Sequence, residues 1–152
     1  MYNPLEFQKT AIDNLASKFT NLWKKDGRQL PLVFKSPTGS GKTLMVSHFI
    51  RGLNHLPTWD EDKAFIWITF SDDIAMQSRD KFQTYFENTL ENGLLTVSDL
   101  NKGKLQKNDI LFLNWQKLVQ DNASTRQLKL RRPEKPIDQK ESGLYFEDFI
   151  EN

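Results

Sequence analysis

No cysteine occurs in the 152 residues, which removes disulfides and thiolate metal centres from consideration. Histidine is almost as scarce: His48 and His55 are the two in the chain, and no carboxylate pattern around them suggests a metal site. Long apolar runs are missing as well. The longest is about the length of one buried strand, far short of the roughly 20 residues that a membrane-spanning helix needs. The opening Met1-Tyr-Asn-Pro-Leu-Glu lacks the basic and apolar regions of a signal peptide, so a cytoplasmic location is the default expectation. Charge of one sign is lacking too. A net charge of +1 gives no global attraction to nucleic acid, and any such contact must rest on local patches. What remains is 38% hydrophobic and 27% charged, the composition of a globular domain with a real core.

The stretch Ser36-Pro-Thr-Gly-Ser-Gly-Lys-Thr43 carries the most information. Glycines at 39 and 41 let successive backbone N–H groups turn toward one point, and a helix beginning there adds its partial positive charge. Lys42 is then placed for the β- and γ-phosphates of a nucleotide, and the Thr43 hydroxyl for Mg²⁺. The setting fits, since an apolar Leu30-Pro-Leu-Val-Phe34 reads as the strand leading in and Leu44 to Ile50 as the helix leading out. The general pattern opens on Gly where this chain has Ser36. The expected ligand is ATP with Mg²⁺, held by Thr38, Gly39, Ser40, Gly41, Lys42 and Thr43.

Elsewhere the periodicity predicts alternating helices and strands. Apolar residues at helical spacing from Pro4 to Lys25 predict a first helix ended by Asp26-Gly27. Ala64 to Phe70 is apolar on both faces, as in a strand covered on both sides. Ser71 and Asp72 then cap a helix running toward Asn92-Gly93, followed by strand candidates Leu94–Val97 and Asp109–Trp115. This order implies an α/β fold with a parallel sheet and right-handed crossovers. The chain reads as one domain over 1–152. Residues 126–140 read as an exposed basic loop, and the segment from Ser142 on as a helix.

Hydrolysis requires a carboxylate after a buried strand, where Asp orders Mg²⁺ and a neighbouring Glu positions water. Asp60-Glu61 and Glu147-Asp148 do not follow strands. Asp72-Asp73 does, yet helix capping explains it at least as well. Three readings stand open at this point. The chain is an ATP-binding piece of a motor without hydrolytic carboxylates, a self-sufficient small NTPase or kinase using Asp72 for Mg²⁺, or a non-catalytic nucleic-acid-binding module using Arg126, Lys129, Arg131 and Arg132.

Several of these segments together resemble the N-terminal part of the helicase-like motor of type III restriction enzymes and related superfamily 2 proteins. They are the Ser-x-Thr-Gly-x-Gly-Lys-Thr loop, Leu5-Glu-Phe-Gln-Lys-Thr-Ala-Ile12, Ile68-Thr-Phe-Ser-Asp-Asp-Ile-Ala-Met-Gln-Ser78 and Leu111-Phe-Leu-Asn-Trp-Gln-Lys-Leu118. The resemblance implies a partial RecA-like P-loop domain of three layers, stopping before the Asp-Glu box. A whole protein would continue with that box, a second RecA-like domain and a nuclease domain. It also implies that Gln8 contacts adenine and that Thr69, Ser71, Asn114 and Lys117 lie along a DNA track. Trp115 is expected to be a packing anchor. DNA and a modification (methyltransferase) subunit are the implied partners. A RecA-like piece whose loop strand lacks its sheet neighbours would expose backbone edges and be marginally stable alone.

Overall fold

The structure, a computed structural model, describes residues 2–24, 31–56, 63–86, 93–102, 105–116, 128–129 and 144–145. They group into two compact units: Met1–Glu61 with Lys81–Asn88, and Asp62–Asp80 with Thr89–Asn152.

The first unit is built on two helices, α1 (Glu6–Lys24) and α2 (Lys42–Asn54). In α1, Leu15, Phe19, Leu22 and Trp23 recur at three- and four-residue intervals, which puts them on one face. Leu15 is buried there. Phe19 stacks on Trp23 (centroids 5.8 Å apart, planes at 24°) and meets Phe49 of α2 edge-on at 5.5 Å and 76°. These are favoured aromatic geometries, each worth about 0.5–1.5 kcal/mol beyond the area buried. The helix α2 buries Met45, Ser47, Ile50 and Leu53. Ser47 is tolerated inside because its hydroxyl donates to the Leu44 carbonyl at 2.8 Å. The segment before α1 is also tied in, with the Tyr2 ring edge-on to Tyr85 at 5.6 Å.

The second unit holds a three-stranded parallel sheet in the order β1-β3-β2, with β1 Phe65–Thr69, β2 Leu94–Thr96 and β3 Ile110–Asn114. Every residue of the central strand β3 is buried. The register pairs Ile66 with Leu111, Trp67 with Phe112 and Ile68 with Leu113, so each pair shares a face. On one face the Trp67 and Phe112 rings lie 6.3 Å apart. On the other, Leu111 and Leu113 join Leu100 in a buried cluster flanked by Leu95, Val97 and Leu105.

Local polar bonds position these strands. Asp99 Oδ2 accepts the Thr96 N–H (2.7 Å) and hydroxyl (2.8 Å), which stops β2 and turns the chain into the 3-10 helix Val97–Lys102 carrying Leu100. Asp109 is buried at the start of β3, where its carboxylate accepts the Gln106 N–H at 2.7 Å across a turn with Asn108 in the left-handed region (φ 67°). The helix α3 (Asp72–Phe86) follows β1 directly. Its N-cap is Ser71, whose Oγ accepts the Ile74 N–H at 3.4 Å and whose carbonyl accepts the Ala75 N–H at 3.1 Å.

The α/β class and parallel sheet are as expected, and four details differ. Of the expected strand Leu30–Phe34, the described residues 31–34 form none, because Pro31 has no N–H to give and no described strand pairs with the segment. Among the described residues β1 is an edge strand, and its Ile66 and Ile68 are exposed rather than covered. The strand expected over Leu94–Val97 stops at Thr96, and Val97 begins the 3-10 helix. Leu144–Tyr145 pairs in parallel with Leu128–Lys129 as a short strand, not as part of a helix. The remainder of 126–140, with Arg126, Arg131 and Arg132, and the rest of the segment after Ser142 lie outside the described residues. No described helix is long and apolar enough to cross a membrane.

Candidate nucleotide-binding site

The loop preceding α2 owes its path to two glycines. Gly39 (φ 78°) and Gly41 (φ 85°) both lie in the left-handed region, where a Cβ costs about 1–2 kcal/mol. Gly41 is the N-cap of α2: its carbonyl accepts the Met45 N–H at 2.9 Å, so the earlier N–H groups of the first turn have no helical acceptor. The beginning of α2 thereby offers backbone donors and the positive end of the helix dipole. No carboxylate occupies that first turn to compete for the positive charge.

Three side chains fasten the loop from inside. The Lys42 ammonium reaches back over it and donates to the Ser36 carbonyl at 2.9 Å and the Pro37 carbonyl at 2.8 Å. An ammonium has three N–H groups, so one remains for an anion without releasing either carbonyl. The Ser40 hydroxyl donates to the Pro37 carbonyl at 2.7 Å, and the Ser36 and Ser40 hydroxyl oxygens are 2.5 Å apart. Ser36, where the general pattern has Gly, thus contributes a bond that glycine could not. Thr38 is at the exposed tip, and Thr43 is half-buried in the first turn of α2.

Gln8 of α1 is the third fastening. It is 6% exposed and bonded at both ends: its Oε1 accepts the Leu5 N–H at 2.8 Å, and its Nε2 donates to the Ser40 carbonyl at 2.8 Å. A Cβ on Gly41 would come within 2.6 Å of that Nε2. The side chain expected to face a base is turned onto the loop.

Also on α2, the His48 Nε2–H donates to the Tyr2 carbonyl at 3.1 Å. Burial pushes the imidazole pKa below the ordinary 6.5; the Tyr2 carbonyl opposes the shift and Arg51 adds to it.

The donor set fits the polyphosphate of a nucleoside triphosphate. A Cβ at Gly39 would meet nothing within 4 Å, so space is open at the turn, and backbone N–H groups and one ammonium supply the positive charge. No group of three His, Asp or Glu among the described residues forms a metal site. A divalent ion would rely on the Thr43 hydroxyl, phosphate oxygens and water, the mode typical of Mg²⁺.

In the second unit, the Thr69 hydroxyl donates to the Ser71 carbonyl at 2.8 Å, closing the turn between β1 and α3. Thr69 and Ser71 are partly accessible, whereas Asn114 is buried at the end of β3. Lys117 lies outside the described residues. Asp72 is exposed in the first turn of α3, where an acidic residue complements the helix dipole. Trp115 is not a packing anchor: it is 56% exposed, its backbone N–H donating to the Thr69 carbonyl at 2.8 Å, and Phe70 beyond the end of β1 is 83% exposed.

Two features of the loop were not anticipated: the Ser36–Ser40 pair and the bond from Gln8 to Ser40. The first has a sequence signal, a serine in place of the leading glycine. The second has none, because 32 residues separate its partners.

A family model described as "Type III restriction enzyme, res subunit" matches residues 1–147. No curated protein and no solved structure gives a significant match.

Proposed function

Given that the chain belongs to the type III restriction enzyme res-subunit family, whose domain here is helicase-like and ATP-binding, we propose that residues 36–43 are its seat for Mg²⁺-ATP. The observation that carries this reading is the loop itself: two left-handed glycines, a free-ended helix and a lysine that straps the loop while keeping one N–H in reserve. Bound Mg²⁺-ATP supplies the phosphoanhydride whose hydrolysis drives such motors. The chain's own part is to hold it. The backbone N–H groups of residues 39–43 bind phosphate oxygens, Lys42 adds charge at the β- and γ-positions, and the Thr43 hydroxyl ligates the metal ion.

In the whole protein this seat would couple ATP to movement along DNA. Thr69 and Ser71 would touch the backbone of the nucleic acid through the turn after β1. DNA recognition and any contact with a modification subunit belong to that larger assembly.

The test is titration of Mg²⁺-ATP into the full chain beside Lys42→Ala, with phosphate release followed in the same samples. Binding in the wild type that falls at least tenfold in the variant supports the seat. Turnover that depends on Lys42 would favour a self-sufficient NTPase with Asp72 as its carboxylate. Absence of binding by the folded wild-type chain would refute the reading.

A further inference from the structure

We propose that the hydroxyls of Ser36 and Ser40 form a directed pair that occupies the Pro37 carbonyl and so leaves the Ser40 backbone N–H for phosphate. Ser36 is then a positioning residue at the place where the general pattern has a bare glycine. The inference rests on the reading of residues 36–43 as a nucleotide seat and deepens it.

Two hydroxyl oxygens 2.5 Å apart must have a proton between them, and their neighbours settle whose it is. Ser40 Oγ also lies 2.7 Å from the Pro37 carbonyl oxygen, which can only accept. A hydroxyl has one proton, so Ser40 gives its own to that carbonyl. The proton between the two hydroxyls therefore comes from Ser36. Donation runs one way, from the Ser36 hydroxyl through the Ser40 hydroxyl to the Pro37 carbonyl. Donation into an oxygen strengthens that group's own donation, so each bond supports the next. Both serines are half-buried, which limits replacement of either partner by water.

The Pro37 carbonyl meets three donors: the Lys42 ammonium at 2.8 Å, the Ser40 hydroxyl at 2.7 Å and the Ser40 N–H at 3.3 Å. An oxygen with two lone pairs holds two donors well. The ammonium and the hydroxyl lie at ordinary lengths, and the N–H is held loosely, beyond the usual N–H···O range. That N–H would otherwise close the turn from residue 37 to residue 40 as a full backbone bond. A phosphate seat needs the opposite, because donors taken up by the loop's own carbonyls are lost to the ligand. The side-chain hydroxyl fills the place that the backbone donor would fill, and the N–H of the same residue remains for an anion. The pair thus acts on binding more than on folding.

The experiment titrates the Mg²⁺ complexes of ATP and tripolyphosphate into the full chain, as wild type, Ser36→Ala, Ser40→Ala and Ser40→Thr. Urea midpoints and the solvent exchange of the residue-40 backbone amide are measured on each ligand-free protein. In Ser40→Ala the N–H should close onto the vacated carbonyl. Its exchange should slow and the midpoint should stay near the wild-type value, while both ligands weaken about tenfold. Ser36→Ala removes only the support for the Ser40 hydroxyl and should weaken both about threefold. Ser40→Thr keeps the hydroxyl and should restore binding and exchange together. A purely structural role predicts a lowered midpoint in Ser40→Ala with undiminished binding by the folded protein, and that result would overturn the proposal. Unchanged amide exchange in that variant would do the same. If the variants do not fold, the wild type alone decides: its residue-40 amide must exchange readily when free and become protected when tripolyphosphate binds. An amide already protected in the free protein overturns the idea. A wild type that binds neither ligand defeats the nucleotide seat itself, whereas full binding by Ser40→Ala defeats only the pair.

Discussion

Replacing Gly41 by alanine should damage the loop twice, and the two injuries can be separated. The first is conformational: at φ 85° an alanine costs about 1–2 kcal/mol that glycine does not. The second is steric. The new Cβ would lie 2.6 Å from Gln8 Nε2, closer than real contacts allow, so the glutamine must leave. Its departure gives up the bonds to the Ser40 carbonyl and the Leu5 N–H, each worth about 0.5–1.5 kcal/mol net. Together the two effects predict about 2–5 kcal/mol of destabilisation for Gly41→Ala. In a Gln8→Ala background the steric part has already gone, and the same substitution should cost about 1–2 kcal/mol, the conformational part alone. The cycle of four proteins, unfolded by urea and followed by far-UV circular dichroism, should therefore show a coupling of at least about 1 kcal/mol. Additivity within about 0.5 kcal/mol would mean that Gln8 and Gly41 do not share a contact, and the account of the loop would fail.

Further consequences concern the core, a cap and pH. Phe112→Ala removes a ring from the fully buried central strand and from its contact with Trp67, and should cost about 3–5 kcal/mol in urea unfolding. Much of the stability of a domain this size would go with it, so the transition should be lost or shifted to very low denaturant. Ser71→Ala deletes the side-chain acceptor at the start of α3 and should cost about 1 kcal/mol by the same measurement, with Ser71→Asp retaining most of the stability. His48 has its pKa lowered in the fold, so the unfolded chain binds its proton more readily. Stability should be complete above the ordinary 6.5 and decline as the pH falls from there toward the folded value. His48→Gln should remove that part of the slope in urea midpoints measured across the range; an unchanged slope would assign the pH dependence to other groups.

How far the sequence carried is clearest where the signal was local. The spacing of Leu15, Phe19 and Leu22, the short apolar runs at 64–70 and 109–115, and Ser71 before α3 each depend on neighbours within a turn or two, and each forms the expected element, the strands within a residue of those bounds. The glycine-rich loop was legible for the same reason, because Gly39 and Gly41 act through their own dihedrals. Features that depend on distant partners were not. Leu30–Phe34 read as a strand by composition, yet a strand exists only where another supplies ladder bonds, and no described strand does so for residues 31–34. Trp115 read as core by residue type, but its exposure follows from the position of β3's end in the sheet. The bond from Gln8 to the loop was not legible either, since its partner is a carbonyl 32 residues away.

That last case bears on how the proposed seat would obtain its affinity. Lys42, Ser40 and Gln8 all use hydrogen bonds on the loop's own carbonyls, at Ser36, Pro37 and Ser40. An anion cradle needs carbonyls turned away and N–H groups turned in, and each fastened carbonyl commits the following N–H to the opposite direction. The side-chain bonds therefore do before binding what the ligand would otherwise have to do, and the ordering cost is met by folding. It follows that Lys42 has two separable duties. Lys42→Arg keeps the charge but exchanges three rotatable donors for a planar fork, which cannot easily span two adjacent carbonyls and still reach a phosphate. Substitution by arginine should thus weaken Mg²⁺-ATP almost as much as alanine does, by at least about tenfold. Titration calorimetry on the three proteins decides the matter: wild-type affinity in Lys42→Arg would show that charge alone suffices and that the strap across Ser36 and Pro37 contributes nothing to binding.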